Sequence, residues 1–270
     1  MTTRGGAGRA IRRALGAPYA LFAQTLFDPL ALGKSLVNHL RGMPIFARNL
    51  ASYTRQNRHA SLRFQAREVW YRSFDRWMPA GTIEKHYFLQ DLWAANVLHQ
   101  AGTKVHVDVG SRVDGFVGHI LTFCDVTYID IRPLDFEFPR FHFRQGSIVD
   151  LPLDDNSTPS LSSLHVIEHI GLGRYGDPID PDGHLRAARE LTRVLAPGGR
   201  LLIGIPTGRE RLMFDAHRIL DPATVVSMFE GLRLTRFSFI DDRDGRIIED
   251  ASFDVARSAA YGCGLYEFTK

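Results

Sequence analysis

A glycine and two acids frame the first candidate site. In KVHVDVGSRVDGFVGHILTFCDVTYIDIRP, Lys104 to Pro133, a short apolar run holding Asp108 breaks at Gly110, and a second run about twenty positions on ends with Asp130. Glycine lets a backbone approach a ligand without a Cβ in the way, and a carboxylate at the end of the next strand can accept hydrogen bonds from both hydroxyls of a ribose. A full dinucleotide fingerprint carries glycines where this chain has Arg112 and Asp114, so a pyrophosphate cradle is not expected. A nucleoside without phosphates places weaker demands on that loop; the competing reading is an ordinary buried strand followed by a turn with incidental acids.

The second candidate is the run HVIEHI, which carries His165, Glu168 and His169. Imidazole titrates near neutral pH and is the natural group to remove a proton from an acceptor oxygen or nitrogen. If a strand continues to His169, the two histidines share one face and Glu168 points the other way; if a turn begins at Ile167, only one histidine reaches the site. The competing reading is a hydrogen-bonded structural histidine and a loop-fixing carboxylate. The glycine-, proline- and aspartate-rich run 171–183 reads as a lid or acceptor-binding loop holding Arg174, Tyr175 and Asp177. Asp177, Asp180, Asp182, His169 and His184 match no standard metal loop, and aspartates in such segments are turn formers, so no metal is expected. Asp215, His217 and Arg218 read either as a polar wall on the far side of the site or as a salt-bridged helix cap.

These residues need a scaffold of alternating strands and helices. A helix over HYFLQDLWAANVLHQAG, with Leu89, Leu92, Trp93, Val97 and Leu98 on one face, delivers the chain to a strand at Val105–Val109. A turn and helix through Phe116–Leu121 lead to a second strand at Val126–Ile131. Further strands are expected near His142–Arg144, which leads to Gly146, Ser147 and Ile148, and at Leu161–Ile167 and Arg200–Ile205. An amphipathic helix, His184–Leu195, stops at Pro197, Gly198 and Gly199. Asp221 as N-cap and Pro222 at the first helical position frame another helix, and strands at Leu232–Ile240 and Tyr261–Phe268 close the chain. The pattern predicts an α/β, Rossmann-like doubly wound, mostly parallel seven-stranded sheet with an antiparallel last strand, preceded by an α-helical N-terminal region. The division expected is 1–85 and 86–270.

With 270 residues and 33 Lys+Arg against 30 Asp+Glu, the chain is ordinary in charge, but the charge is uneven. Residues 1–100 hold 14 basic and 5 acidic residues, a net of +9, and the remainder 19 and 25, a net of −6. Such a front points to an anionic partner or to a solvated basic face. Ala17–Leu40 is apolar but broken by Gln24, Asp28, Pro29 and Lys34, too soon for a spanning helix. Arg4, Arg9, Arg12 and Arg13 ahead of Phe22, Leu26 and Phe27 would suit an interfacial anchor giving peripheral membrane contact, with core packing as the competing reading. Ile45–Trp77 interleaves arginine with aromatics, yet no nucleic-acid module is recognisable and no nucleic-acid partner is expected. Cys124 and Cys263 imply no disulfide framework, and a cytoplasmic location follows as the default.

Four phrases in order, VDVGS (Val107–Ser111), YID ending at Asp130, LPLDD (Leu151–Asp155) with VIEHI (Val166–Ile170), and RVLAPGGRLLIGIP (Arg193–Pro206), resemble the class I S-adenosylmethionine-dependent methyltransferases over roughly Lys104–Lys270. HYFLQDLW, YIDIRPL, HVIEHIGLGRYGDPIDPDG, FDAHRI and YGCGLYEF look closer still to the domain-of-unknown-function family two hundred sixty-eight. The resemblance implies S-adenosyl-L-methionine as cofactor, with Asp108, Gly110, Ser111, Asp130, Ile131, Ser147 and Ile148 in the cofactor site and His169, His165 and Glu168 as candidates for the chemistry. Ser147 stands where the superfamily carries an adenine-contacting acid, and Arg112 where it carries a middle glycine. The family's association with surface-polysaccharide enzymes implies a sugar or glycan precursor as acceptor, with a non-catalytic binding module as the alternative; the oligomeric state is not legible.

Overall fold

The computed structural model describes residues 29–57, 69, 71, 76–77, 83, 85–243 and 245–270. The chain forms two compact units, Met1–Thr82 and Ile83–Lys270. The expected anchor residues from Arg4 to Phe27, and Arg58, Arg63, Arg67, Trp70, Arg72 and Phe74, lie outside the described residues.

In the first unit one helix, α1 (Pro29–Gln56), runs through Pro44 and so joins segments that the sequence pattern separates. Gly42 is buried on it, and Tyr71 packs there, donating from its hydroxyl to the His39 carbonyl at 2.6 Å. Leu36, Val37, Leu40 and Met43 are exposed. No helix among the described residues is long and apolar enough to cross a membrane.

The second unit begins with α2 (Lys85–Gln100). Then come β1 (Val105–Val109), a helical turn Val113–Val117 continuing into α3 (Gly118–Ile120), β2 (Asp125–Asp130), β3 (Phe141–Gln145) and β4 (Thr158–Leu164). After a 3₁₀ turn at Ile167–His169 follow α4 (Gly183–Val194), β5 (Leu195–Thr207), a hairpin of β6 (Arg211–Met213) and β7 (His217–Ile219), α5 (Pro222–Met228) and β8 (Arg233–Asp241). The chain closes with β9 (Ile247–Ile248), α6 (Phe253–Ser258) and β10 (Gly262–Thr269).

The sheet order is β3-β2-β1-β4-β5-β10-β8-β9, with the first five strands parallel. β10 runs antiparallel between β5 and β8, as expected for the last strand. The sheet has eight strands rather than seven. The extra one, β9, is two residues long and pairs with Phe239 and Ile240 after a turn, a length that gives no readable alternation.

Period-two alternation places the core on both faces. Leu201, Ile203 and Ile205 pack with Leu191, Val194, Val225 and Phe229 on one side, while Leu202 turns to Trp93, Leu98, Phe116 and Ile120 on the other. Leu92, expected in the core, is exposed, and Gln90 and Asp91 are buried instead. The helix turns that face inward because Gln90 lies against the backbone of Gly204, and Asp91 against that of Gly115, where only glycine leaves room.

Two sequence motifs prove to be one brace. Arg193, in RVLAPGG, donates to the Leu151 and Leu153 carbonyls at 3.1 and 3.0 Å, to Asp155 at 2.6 Å and to Glu190 at 2.9 and 2.8 Å. Helix α4 is thereby tied to the LPLDD loop, which follows the Gly146–Ile148 segment.

Candidate active site

The carboxyl ends of the parallel strands open into a cavity of about 330 Å³, within the usual range for small-molecule sites. Its walls include Val109 and Gly110 after β1, Asp130, Ile131 and Arg132 after β2, and Gly146–Val149 after β3. Leu164, His165, Val166 and His169 after β4 complete it, with Tyr87 from α2 and Tyr175, Asp177 and Asp180 from the following loop. The strand order reverses beside β1, which is where open α/β sheets bind ligands.

Gly110 has φ +75°, and a Cβ there would meet the Val166 methyls at 3.0 and 3.2 Å. Glycine is therefore required both by the turn and by the close approach of β4. Asp130 borders the same cavity at the end of the neighbouring strand. Its carboxylate takes the Arg132 N–H at 2.8 Å, and Arg132 Nε and Nη2 at 3.0 and 2.8 Å. It also lies 3.1 Å from the Tyr128 hydroxyl, which is shared with the Ser111 carbonyl. Burial works to raise the Asp130 pKa, but these bonds outweigh it and hold it below the ordinary carboxylate value.

Asp108 and Ser111 do not line the cavity, a correction to the expected cofactor set. Strand alternation puts Val107 and Val109 on the cavity side and turns Asp108 inward with His106. There Asp108 accepts from the Ser111 N–H at 3.0 Å, from the Ser111 hydroxyl at 2.6 Å and from the Ser162 hydroxyl. Ser111 Oγ in turn accepts the Leu164 N–H at 3.0 Å. The pair stitches the Gly110 turn to β4 from beneath. Burial pushes the Asp108 carboxyl up to about 7 and the adjoining His106 imidazole down to about 3, so His106 is neutral between two serine hydroxyls.

Beyond Asp130, Ile131, Ser147 and Ile148 all border the cavity. Ile148 is buried, and Ser147 accepts the Val149 N–H at 3.4 Å within a tight turn. Arg112 also borders the cavity without closing it: its guanidinium lies 4.9 Å from the Tyr87 ring centroid and bonds to Asp114 at 3.2 Å.

At the base of β4 the strand stops at Leu164, three residues before the expected end, and the 3₁₀ turn follows. Because of that turn both histidines reach the cavity, not one, and Glu168 sits between them. His165 stands at φ +56°, a strained conformation for a residue with a Cβ. Its Nδ1 lies 2.8 Å from Glu168 Oε1, and the same oxygen is 3.7 Å from His169 Nε2. Glu168 is buried and does not touch the cavity. Burial works against charge at His165, but Cys263 and the Glu168 carboxylate outweigh it and hold its pKa well above the ordinary 6.5. Burial likewise works to raise Glu168, and its bond to His165 with the charges of both imidazoles lowers it instead. His165 and Glu168 thus form a buried ion pair at neutral pH.

His169 is placed differently. Its Nδ1 is 2.6 Å from the Ala216 carbonyl, which can only accept, so Nδ1 carries the proton and the neutral ring keeps its lone pair on Nε2. Tyr175 and His217 flank the ring at centroid distances of 5.4 and 6.3 Å. Asp177 is spent on loop geometry, accepting from the backbone of Gly171, Gly173 and Tyr175 at 2.6, 3.3 and 3.3 Å. Asp180 pairs with Arg186. Asp215, His217 and Arg218 belong to the β6–β7 hairpin and its tip, neither a second wall nor a helix cap. Arg218 is buried and donates to the carbonyls of Glu168, Ile170 and Pro181 at 3.3, 2.8 and 3.0 Å.

Tyr87, Arg132 and Arg186 are cavity residues that the sequence reading passed over. Arg132 had a signal, its position two residues after Asp130. Tyr87 lies within the phrase HYFLQDLW but carried no chemical signal there, and Arg186 lies on α4 beyond the quoted phrases.

A family model described as "Methyltransferase domain" matches residues 107–203, and one described as "Caenorhabditis protein of unknown function, DUF268" matches residues 156–251. A protein from Mycolicibacterium smegmatis described as a probable S-adenosylmethionine-dependent methyltransferase is 27% identical over 168 residues, 62% of this chain and 53% of the relative. The chain therefore spans about half the length of that curated relative. Among solved structures, the N-methyltransferase NodS from Bradyrhizobium japonicum with S-adenosyl-l-homocysteine is 17% identical, covering 72% of this chain and 91% of its own, with TM-score 0.47. The Burkholderia thailandensis 1,6-didemethyltoxoflavin-N1-methyltransferase is 15% identical, covering 68% and 80%, with TM-score 0.47. With the strand order, the Gly110 turn and the Asp130 carboxylate in place, the two family matches support a class I S-adenosylmethionine-dependent methyltransferase superfamily fold for this chain, with a DUF268 association.

Proposed function

We propose that the chain is a methyltransferase using S-adenosyl-L-methionine, and that it methylates an oxygen of a small acceptor, a sugar or glycan precursor, with His169 as the base. The observation that carries this reading is that Gly110, Asp130 and His169 border one cavity. The cavity fits the cofactor in kind: a carboxylate on its wall for ribose hydroxyls, a glycine where a Cβ would collide, and the apolar Ile131 and Ile148 for a purine face. When bound, the cofactor supplies a methyl group on a sulfonium that is already activated for attack.

The residues then have separate work. Gly110, Asp130, Ile131, Ser147 and Ile148 would hold the nucleoside. His169 Nε2 accepts the acceptor's hydroxyl proton, and Glu168 Oε1, 3.7 Å away, stabilises the imidazolium that results. His165 is already protonated in its pair with Glu168, so it cannot take a proton at neutral pH and instead fixes the carboxylate. Tyr87 and Tyr175 border the cavity with arginines over their rings, Arg112 over Tyr87 and Arg132 and Arg174 over Tyr175, which gives that side polar donors for a hydroxylated acceptor.

The test is incubation of the purified full chain with S-adenosylmethionine and a panel of sugars and nucleotide sugars, with S-adenosylhomocysteine release as the readout. Release that requires an acceptor hydroxyl and disappears when that hydroxyl is blocked supports the reading. Transfer only to amines would overturn the choice of oxygen. Binding without release under any acceptor would favour a non-catalytic module.

A further inference from the structure

Asp130, the carboxylate assigned to the ribose, is already engaged on both oxygens, with the Tyr128 proton shared between it and the Ser111 carbonyl. A carboxylate offers about four lone-pair positions, and here they receive the Arg132 N–H and Nε on Oδ1, and Arg132 Nη2 and the Tyr128 hydroxyl on Oδ2. The backbone N–H and Tyr128 belong to the fixed frame. The two guanidinium bonds do not: the Arg132 side chain is 56% exposed, so although Asp130 itself is only 9% exposed the pair is open to water from the arginine side. A ribose diol brings two hydroxyl donors, the same number that the guanidinium occupies.

The displaced group has one evident resting place. The Arg132 guanidinium lies 5.0 Å from the Tyr175 ring centroid, and that ring is 5.4 Å from His169. Sliding along Tyr175 carries the cation toward the base. Of the cavity carboxylates nearby, Asp177 holds three backbone N–H groups and Asp180 is paired with Arg186. Both carboxylates already have partners for their oxygens.

We propose that Arg132 competes with the donor ribose for Asp130 and, once displaced, binds an anionic group on the acceptor, so that the donor loads first and the acceptor carries a phosphate or carboxylate. This rests on the donor reading of the cavity given above. A guanidinium suits either anion through paired N–H donors.

The experiment is calorimetry on the full chain. S-adenosylhomocysteine is titrated into wild type and Arg132→Ala, and inorganic phosphate into each with and without saturating S-adenosylhomocysteine. The expected result is about three- to fivefold tighter S-adenosylhomocysteine binding by the variant, the size of an exposed ion pair. Phosphate should bind S-adenosylhomocysteine-saturated wild type and Arg132→Lys, but neither the ligand-free protein nor Arg132→Ala. Unchanged or weaker S-adenosylhomocysteine binding by Arg132→Ala overturns the competition while leaving the donor reading intact. Phosphate binding that ignores S-adenosylhomocysteine, or none at all, overturns the anionic acceptor. S-adenosylhomocysteine binding to neither protein overturns the donor reading and this inference with it.

Discussion

His165 and His169 differ by four positions and by almost everything else that matters to a proton. One is locked against Glu168 and charged; the other gives its Nδ1 proton to a backbone carbonyl and presents a lone pair. His169→Gln should accordingly lower turnover by about 10²–10⁴-fold while S-adenosylhomocysteine affinity stays within about twofold, read by steady-state kinetics and calorimetry. A loss of binding equal to the loss of rate would make His169 a binding residue. The Glu168–His165 pair predicts a pH signature in stability. His165 has a raised pKa, so its contribution is complete below its ordinary 6.5 and fades as pH rises through the folded-state value. Glu168 has a lowered pKa, so its contribution is complete above its ordinary 4.5 and fades as pH falls through the folded-state value. Glu168→Gln should therefore cost most, about 3 kcal/mol, between about pH 4.5 and 6.5 and less on either side, as measured by urea unfolding at a series of pH values. A cost that is flat with pH would contradict the charged pair.

The elements explain why these side chains meet. β1 carries its information by parity: Val107 and Val109 to one face, His106 and Asp108 to the other, then Gly110 at the turn. Asp108 holds Ser111, Ser111 holds the Leu164 N–H, and so the turn after β1 and the end of β4 are fixed to each other before any ligand arrives. Gly110→Ala tests that coupling. A side chain at φ +75° against Val166 should cost about 1–2 kcal/mol of stability and weaken S-adenosylhomocysteine binding, which thermal unfolding and calorimetry would show. A variant as stable and as tight as wild type would mean that the turn is not built around the missing Cβ. The legibility of the chain divides along the same line. Strong alternation and caps made most of the parallel strands, α4 and α5 readable: Asp221 does cap α5, accepting the Ala223 N–H at 2.8 Å. The end of β4 was misjudged because VIEHI is apolar enough to continue a strand, and what stops it, the left-handed turn at His165, leaves no mark in a non-glycine residue. The β6–β7 hairpin and β9 are too short for periodicity to register. The spacing to Asp130 and the phrase VDVGS both point Asp108 into the site, whereas parity along β1 turns it away.

At the scale of the molecule, the cavity-wall residues among those described come from the second unit, between Tyr87 and Arg186, and the eight-stranded sheet gathers them from the connections after β1, β2, β3 and β4, with Tyr87 added from α2. The superfamily phrases were readable because each does a structural job that tolerates few substitutes: a glycine at a left-handed turn, a carboxylate at a strand end, an arginine bracing a loop to a helix. The proposed acceptor wall left less trace: Tyr175 is legible from the 171–183 loop, whereas Tyr87 and Arg132 join it only through the fold. The account stands on a nucleoside seated between the Gly110 turn and Asp130. Calorimetric titration of the full chain with S-adenosylhomocysteine, repeated on Asp130→Ala, tests this most directly: saturable one-site binding that weakens at least about tenfold in the variant is predicted. Affinity unchanged by the loss of that carboxylate would contradict it.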